Sequence, residues 1–232
     1  MKKNQSVDLL HGPIFKSLSL LAIPIMATYF IQMAYNLIDM LWIGFLGSGA
    51  VASIGVSGNF MYLANGLVNM PKIGSQALVG QSLGANNKME TKNYIEAAFQ
   101  ISILFALIYG IIIIVFQSNL IQLFNLSDPV IIQDAQNYLW ITCGFILFSF
   151  VNQIFTGILT SAGHSKSTFI ATTTGLILNL ILDPILIFVF NLRVVGAALA
   201  TIIAQIIVTL VFLYDAKSLD LFQGINLLSK PD

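Results

Sequence analysis

Charge is the scarcest property of this 232-residue chain: Asp, Glu, Lys and Arg together make 9% of it, against roughly 25% in an ordinary soluble domain. A water-facing globule cannot be coated with so few ions. The ten basic and ten acidic residues cancel to a net charge of zero, which removes any broad basic face for nucleic acid. Cysteine occurs once, as Cys143 in an apolar segment. An intramolecular disulfide, a zinc cluster and a thiol redox motif are thereby excluded together. His11 and His164 have no ligand spacing around them. Phosphate loops of the GxGxxG and Walker types are missing, as is any nucleophile constellation, so the pattern argues against an enzyme and calls for no cofactor.

What the chain has in excess is apolar length. Hydrophobic residues make 57% of it, and mean hydropathy is +0.87. Runs such as 101–116 and 194–213 are too long and too uniform to be one face of a helix on a soluble core. They predict an all-α integral membrane protein with six transmembrane helices, at 14–43, 52–84, 93–116, 130–158, 166–190 and 195–214. Pro24 and Pro71 are candidate kink sites. Lys2 and Lys3 before an apolar stretch suggest a signal peptide, but that stretch is too long and lacks a small-residue cleavage site, so it reads as a retained first helix. Residues 1–13 then form an N-terminal tail and 215–232 a C-terminal tail.

Orientation follows from the bases. Lys2, Lys3, Lys16, Lys88, Lys92, Lys166, Lys217 and Lys230 fall where six spans put one side of the membrane, and Arg193 falls on the other. Lys and Arg near span ends favour the cytoplasm. Both termini are expected there, in a multi-pass protein of the plasma (inner) membrane.

Polar residues recur along the spans in steps of three and four, which gathers each set on one helix face. The first helix carries Thr28, Gln32, Asn36 and Asp39, with Tyr35 beside them; the second carries Asn65, Asn69, Lys72 and Gln76. Asn152 and Thr156 lie in the fourth, Thr168, Thr172, Asn179 and Asp183 in the fifth, and Thr201, Gln205 and Thr209 in the sixth. Hydrogen bonds between helices account for most of these at about 0.6 kcal/mol each. The two aspartates are harder to dismiss, because a carboxylate near mid-span costs roughly 2.5 to 3.5 kcal/mol on insertion.

Depth links the two acids. Asp39 precedes Gly47 by eight residues and Asp183 precedes Asn191 by eight, which puts each roughly 12 Å below the outer end of its helix. Two acids at one depth can share an outward cavity. There they would hold a proton near neutral pH and release it when water or a cation arrives. Asn179, one turn before Asp183, could donate to the carboxylate or coordinate a metal cation. Pro184 supplies no N–H and marks a weak point beside the acid; an ordinary Asp-Pro cap is the plainer alternative. Lys72, roughly 18 Å from the inner end of its helix, is expected to reach into a central polar cavity. Tyr35, Phe60, Met61 and Phe155 could stack on an apolar cation, although core packing is the more economical reading.

These residues resemble the N-terminal lobe of the multidrug and toxic compound extrusion (MATE) transporters. The resemblance rests on Ile23-Pro24-Ile25, Asn36-Leu37-Ile38-Asp39 with Trp42-Ile43-Gly44, Ala50-Val51-Ala52 through Gly55-Val56-Ser57, and Gly80-Gln81-Ser82-Leu83-Gly84-Ala85. It continues through Gly157-Ile158-Leu159 to Ser161-Ala162-Gly163, Asn179 with Asp183-Pro184-Ile185-Leu186, and Val195-Gly196-Ala197-Ala198. It implies one lobe of a twelve-helix secondary transporter that exports amphipathic cationic compounds in exchange for H⁺ or Na⁺ by alternating access. It also implies a cation site at Asp39, Asn179 and Asp183. The partners implied are a cationic small molecule, membrane lipid, and either a second lobe or a second copy in a parallel dimer. A flippase for lipid-linked precursors and an inactive half acting only in assembly are the competing readings.

Overall fold

A computed structural model describes residues 14–222. Lys2, Lys3, His11 and Lys230 lie outside the described residues. Within them the chain forms α1 (Ile14–Phe45), α2 (Ser48–Gly84), α3 (Lys88–Gln122), α4 (Pro129–Gly144), α5 (Ile146–Ser161), α6 (Ser165–Pro184) continued by a π-helical turn (Ile185–Val189), and α7 (Arg193–Lys217). A short 3₁₀ turn (Asp220–Phe222) follows. Among the described residues α2, α3, α6 with its π turn, and α7 are long and apolar enough to cross a membrane, and α4 with α5, bent by 49° at their junction, are so when taken together. The 32-residue α1 packs along α6 as a further rod. The chain is a helical multi-pass membrane protein.

Several helices run past the predicted bounds because apolarity reports the part in lipid, whereas caps decide where a helix starts. The third helix begins at Lys88, five residues before its predicted start, as the Asn87 side chain accepts the Glu90 N–H at 3.2 Å. Asp128 caps α4 in the same way, taking the Val130 N–H at 2.8 Å with Pro129 at the first helical position. The continuous helix expected over 130–158 is instead broken at Phe145, whose backbone (φ −111°, ψ 17°) leaves the helical region. Pro24 and Pro71 sit inside helices that run through them.

Two large buried apolar clusters, with two smaller ones beside them, form the core of the described residues. One is built from Ile95, Phe99, Phe155, Ile158, Leu159 and Phe212, with Phe155 stacked on Phe212 at 5.4 Å and edge-on to Phe99 at 4.9 Å. The other joins Phe60, Val68, Tyr109, Ile113, Leu139 and Phe150. Phe60 and Phe155 are therefore core residues, the first with Phe124 edge-on at 6.0 Å, and neither is a stacking surface for a ligand.

Candidate functional site

Proline creates the site. Pro184 has no N–H to return to the helix, and the chain beyond it widens into the π turn, where the Phe190 N–H reaches Ile185 O five residues back at 3.0 Å. Asn191 and Arg193 then adopt positive φ (54° and 49°) and reverse the chain into α7. Gly196 lets α7 touch this turn directly, since a Cβ there would lie 2.7 Å from the Leu186 carbonyl. On the other side Trp42 of α1 packs edge-on to Phe188 at 6.2 Å. Held on both flanks, the last turn of α6 presents Asp183 to α1.

Asp183 is fully buried (0% exposed) and Asn179 nearly so (3%). The Asp39 carboxyl lies within hydrogen-bonding reach of the Asp183 carboxyl, with Tyr35 and Tyr138 beside both acids and Thr201 beside Tyr35. Two ionised carboxylates offer only acceptors, so this contact becomes a bond when one of them carries a proton. Among the described residues no donor reaches either Asp183 oxygen or Asn179 Oδ1. Asn179 spends an amide N–H on Thr201 Oγ1 at 3.4 Å, not on the carboxylate, and Thr201 is itself tied to Ala197 O at 3.0 Å. Asp183 therefore does not act as an Asp-Pro cap. Buried oxygens without donors are costly; here two carboxyls meet, with an unpartnered amide oxygen one helical turn before Asp183. A proton or a small monovalent cation satisfies that chemistry.

The other predicted side chains go elsewhere. Asn152 of α5 donates to both the main-chain and side-chain carbonyls of Gln205 (2.9 and 2.7 Å) and accepts from the Thr209 hydroxyl at 2.8 Å. Thr156 bonds the Asn152 carbonyl at 2.8 Å. This second polar cluster is closed upon itself. Lys72 meets neither aspartate; its Nζ donates to Gln153 Oε1 at 2.7 Å. Gln76 and Thr172 are half-buried. Asn65 and Asn69 lie on a face of α2 that the described residues leave uncovered, Asn65 folding back on Met61 O at 3.0 Å. On α1, Gln32 reaches Asn36 at 3.5 Å.

Sequence reasoning missed Tyr138 and Gln153. Both sit in the broken fourth span, where no regular polar stripe drew attention, and the signal available was only that each is polar amid apolar neighbours.

A MatE family model matches residues 24–185, a stretch that runs from the α1 proline to just past Asp183. This chain belongs to the MATE family. The multidrug export protein MepA of Staphylococcus aureus is 27% identical to it over 237 aligned residues, covering 100% of this chain and 52% of that protein. MepA of Staphylococcus saprophyticus is 29% identical over 220, covering 92% and 47%. Among solved structures, a MATE crystallised in complex with MaD3S superposes with a TM-score of 0.91 at 25% identity, covering 98% of this chain and 52% of that one. The chain thus spans about half the length of the relatives it matches, and the relatives in its family are transporters.

Proposed function

We propose that this MATE chain acts as the N-terminal lobe of a cation-coupled exporter of amphipathic, cationic organic compounds. The single observation that supports it best is the meeting of the Asp39 and Asp183 carboxyls, with Asp183 Oδ1 and Oδ2, and Asn179 Oδ1 one turn earlier, buried and without a donor among the described residues. Two like charges confined there repel unless a cation enters. A lobe with H⁺ or Na⁺ bound is therefore held together between α1 and α6, and a lobe without it is pushed apart between them. That difference is what alternating access requires, because an ion shifts an equilibrium only by its differential affinity for the two states. Tyr35 lines the acid pair and bonds Thr201, which holds the Asn179 amide, and the π turn gives α6 a compliant segment next to the ion.

In this reading both termini face the cytoplasm of the inner membrane. The uncovered face of α2 meets a second lobe or a second copy of the chain. The resemblance to MepA, whose name describes multidrug export, favours a drug substrate over a lipid-linked precursor. The test is dye efflux from proteoliposomes holding the chain under an imposed H⁺ or Na⁺ gradient. Gradient-driven export that disappears in Asp183→Asn supports the reading; export unchanged in both Asp183→Asn and Asp39→Asn overturns it. A chain that exports nothing alone but gains export beside a second lobe identifies it as an assembling half.

A further inference from the structure

Away from the aspartates, one more charge is embedded in mid-helix. Lys72 lies roughly 18 Å from the end of α2 at Gly84, half-buried against α5. Its stem has little freedom. A Cβ on Gly157 would come within 3.1 Å of Lys72 Cγ and of its carbonyl oxygen, so α5 and α2 cross here almost backbone to backbone. The tip ends on a neutral amide, Gln153, at 2.7 Å. Among the described residues no carboxylate pairs with Lys72, and Asp39 and Asp183 face each other.

A primary ammonium carries three N–H donors, and Gln153 takes one. If stapling α2 to α5 were the whole role, an uncharged side chain would do it without carrying an uncompensated cation into the bilayer. The polar setting also extends beyond the pair. Gln76 follows Lys72 by one turn on α2 and Thr156 follows Gln153 by three residues on α5, both half-buried, which continues a polar strip on each side of the crossing. Two N–H donors of Lys72 are thus left without a protein partner among the described residues, open to an acceptor from outside this lobe.

We propose that Lys72 and Gln153 form a recognition site for a carboxylate on the transported compound, so that the lobe selects zwitterionic amphiphiles over plain cations. The proposal rests on the export reading above, and it assigns the anionic half of the substrate to α2 and α5. Ammonium supplies the charge, and the amide Nε2 of Gln153 supplies a second donor to the same carboxylate.

The test uses two rhodamines that differ in one group, a free benzoic acid and its methyl ester, bound to the purified full chain in nanodiscs and followed by fluorescence anisotropy. The acid should bind about tenfold tighter than the ester, as one charge-assisted contact allows. Lys72→Met should erase that preference while Lys72→Arg keeps it. Equal binding of both dyes, binding of neither, or a preference that survives Lys72→Met overturns the proposal. The wild-type comparison of acid and ester decides the matter even if Lys72→Met fails to fold. Efflux of each dye is measured separately, so loss of transport with the binding preference intact counts against the export reading alone.

Discussion

Asn152 and Asp183 are both enclosed polar side chains on helices that pack against α7, yet each amide atom of Asn152 is engaged whereas neither carboxyl oxygen of Asp183 is. The Asn152, Gln205 and Thr209 cluster has the economy of a structural clamp, with donors matched to acceptors inside the bundle. The Asp39, Asp183 and Asn179 cluster is a surplus of acceptors. A buried pair of like acids weakens the fold unless one is protonated or something positive is bound. On the proposed reading, what separates the clamp from an ion site is whether the hydrogen-bond account closes within the protein.

Substitutions should break the two clusters in opposite ways. The largest contrast is at Asp183. Asp183→Asn should reduce gradient-driven dye efflux to the level of empty liposomes, while the melting temperature of the purified chain stays equal to or above wild type. A large loss of thermal stability would instead make Asp183 a structural residue. Next comes ion linkage. The coupling ion at about a hundred times its dissociation constant should stabilise the wild type by about 2.7 kcal/mol, and Asp39→Asn should lose that gain. Melting curves in Na⁺ against K⁺, and across a pH series, measure it and identify the ion.

The clamp should respond the other way. Asn152→Leu strands Gln205 and Thr209 and should cost about 1 to 3 kcal/mol with the ion-dependent gain in melting temperature unchanged; loss of that gain would erase the distinction between the clusters. Gly196→Ala forces α7 off the π turn, since its new methyl would sit 2.7 Å from Leu186. It should cost about 1 to 3 kcal/mol and weaken ion binding together, because it moves Asp183. The smallest effect belongs to Thr201→Val, which removes one tether of Asn179 and should cost about 0.6 kcal/mol with a modest loss of ion affinity read from the same melts.

Much of the bundle was legible beforehand. Six rods, their order and the polar stripes follow from apolar runs and 3.6-residue spacing, and Asp39 and Asp183 were selected by their place on polar stripes, the cost of a carboxylate at mid-span and their equal depth. The break at Phe145 was hidden because residues 130–158 are apolar on both sides of it, so nothing in their composition distinguishes one straight helix from two bent ones. The division of polar residues was equally hidden. Gln205 and Asn152 stood on polar stripes like the rest until their partners were known, and Asn65 and Asn69 stay on an uncovered face of α2. Phe60 and Phe155 looked like possible ligand platforms and proved to be filled into the two apolar clusters.

The amino-acid sequence determined by itself that the chain is helical and enters lipid, because scarcity of charge and the length of apolar runs are properties of segments and need no neighbours. It also determined where a carboxylate would be expensive. Only the tertiary structure decided that the two acids meet across α1 and α6, that Asn179 turns its amide toward Thr201, and that Lys72 ends on Gln153. Those outcomes depend on which helix faces pack together and on a π turn after Pro184, and contacts of a few ångströms between residues on different helices are set by packing, not by local preference.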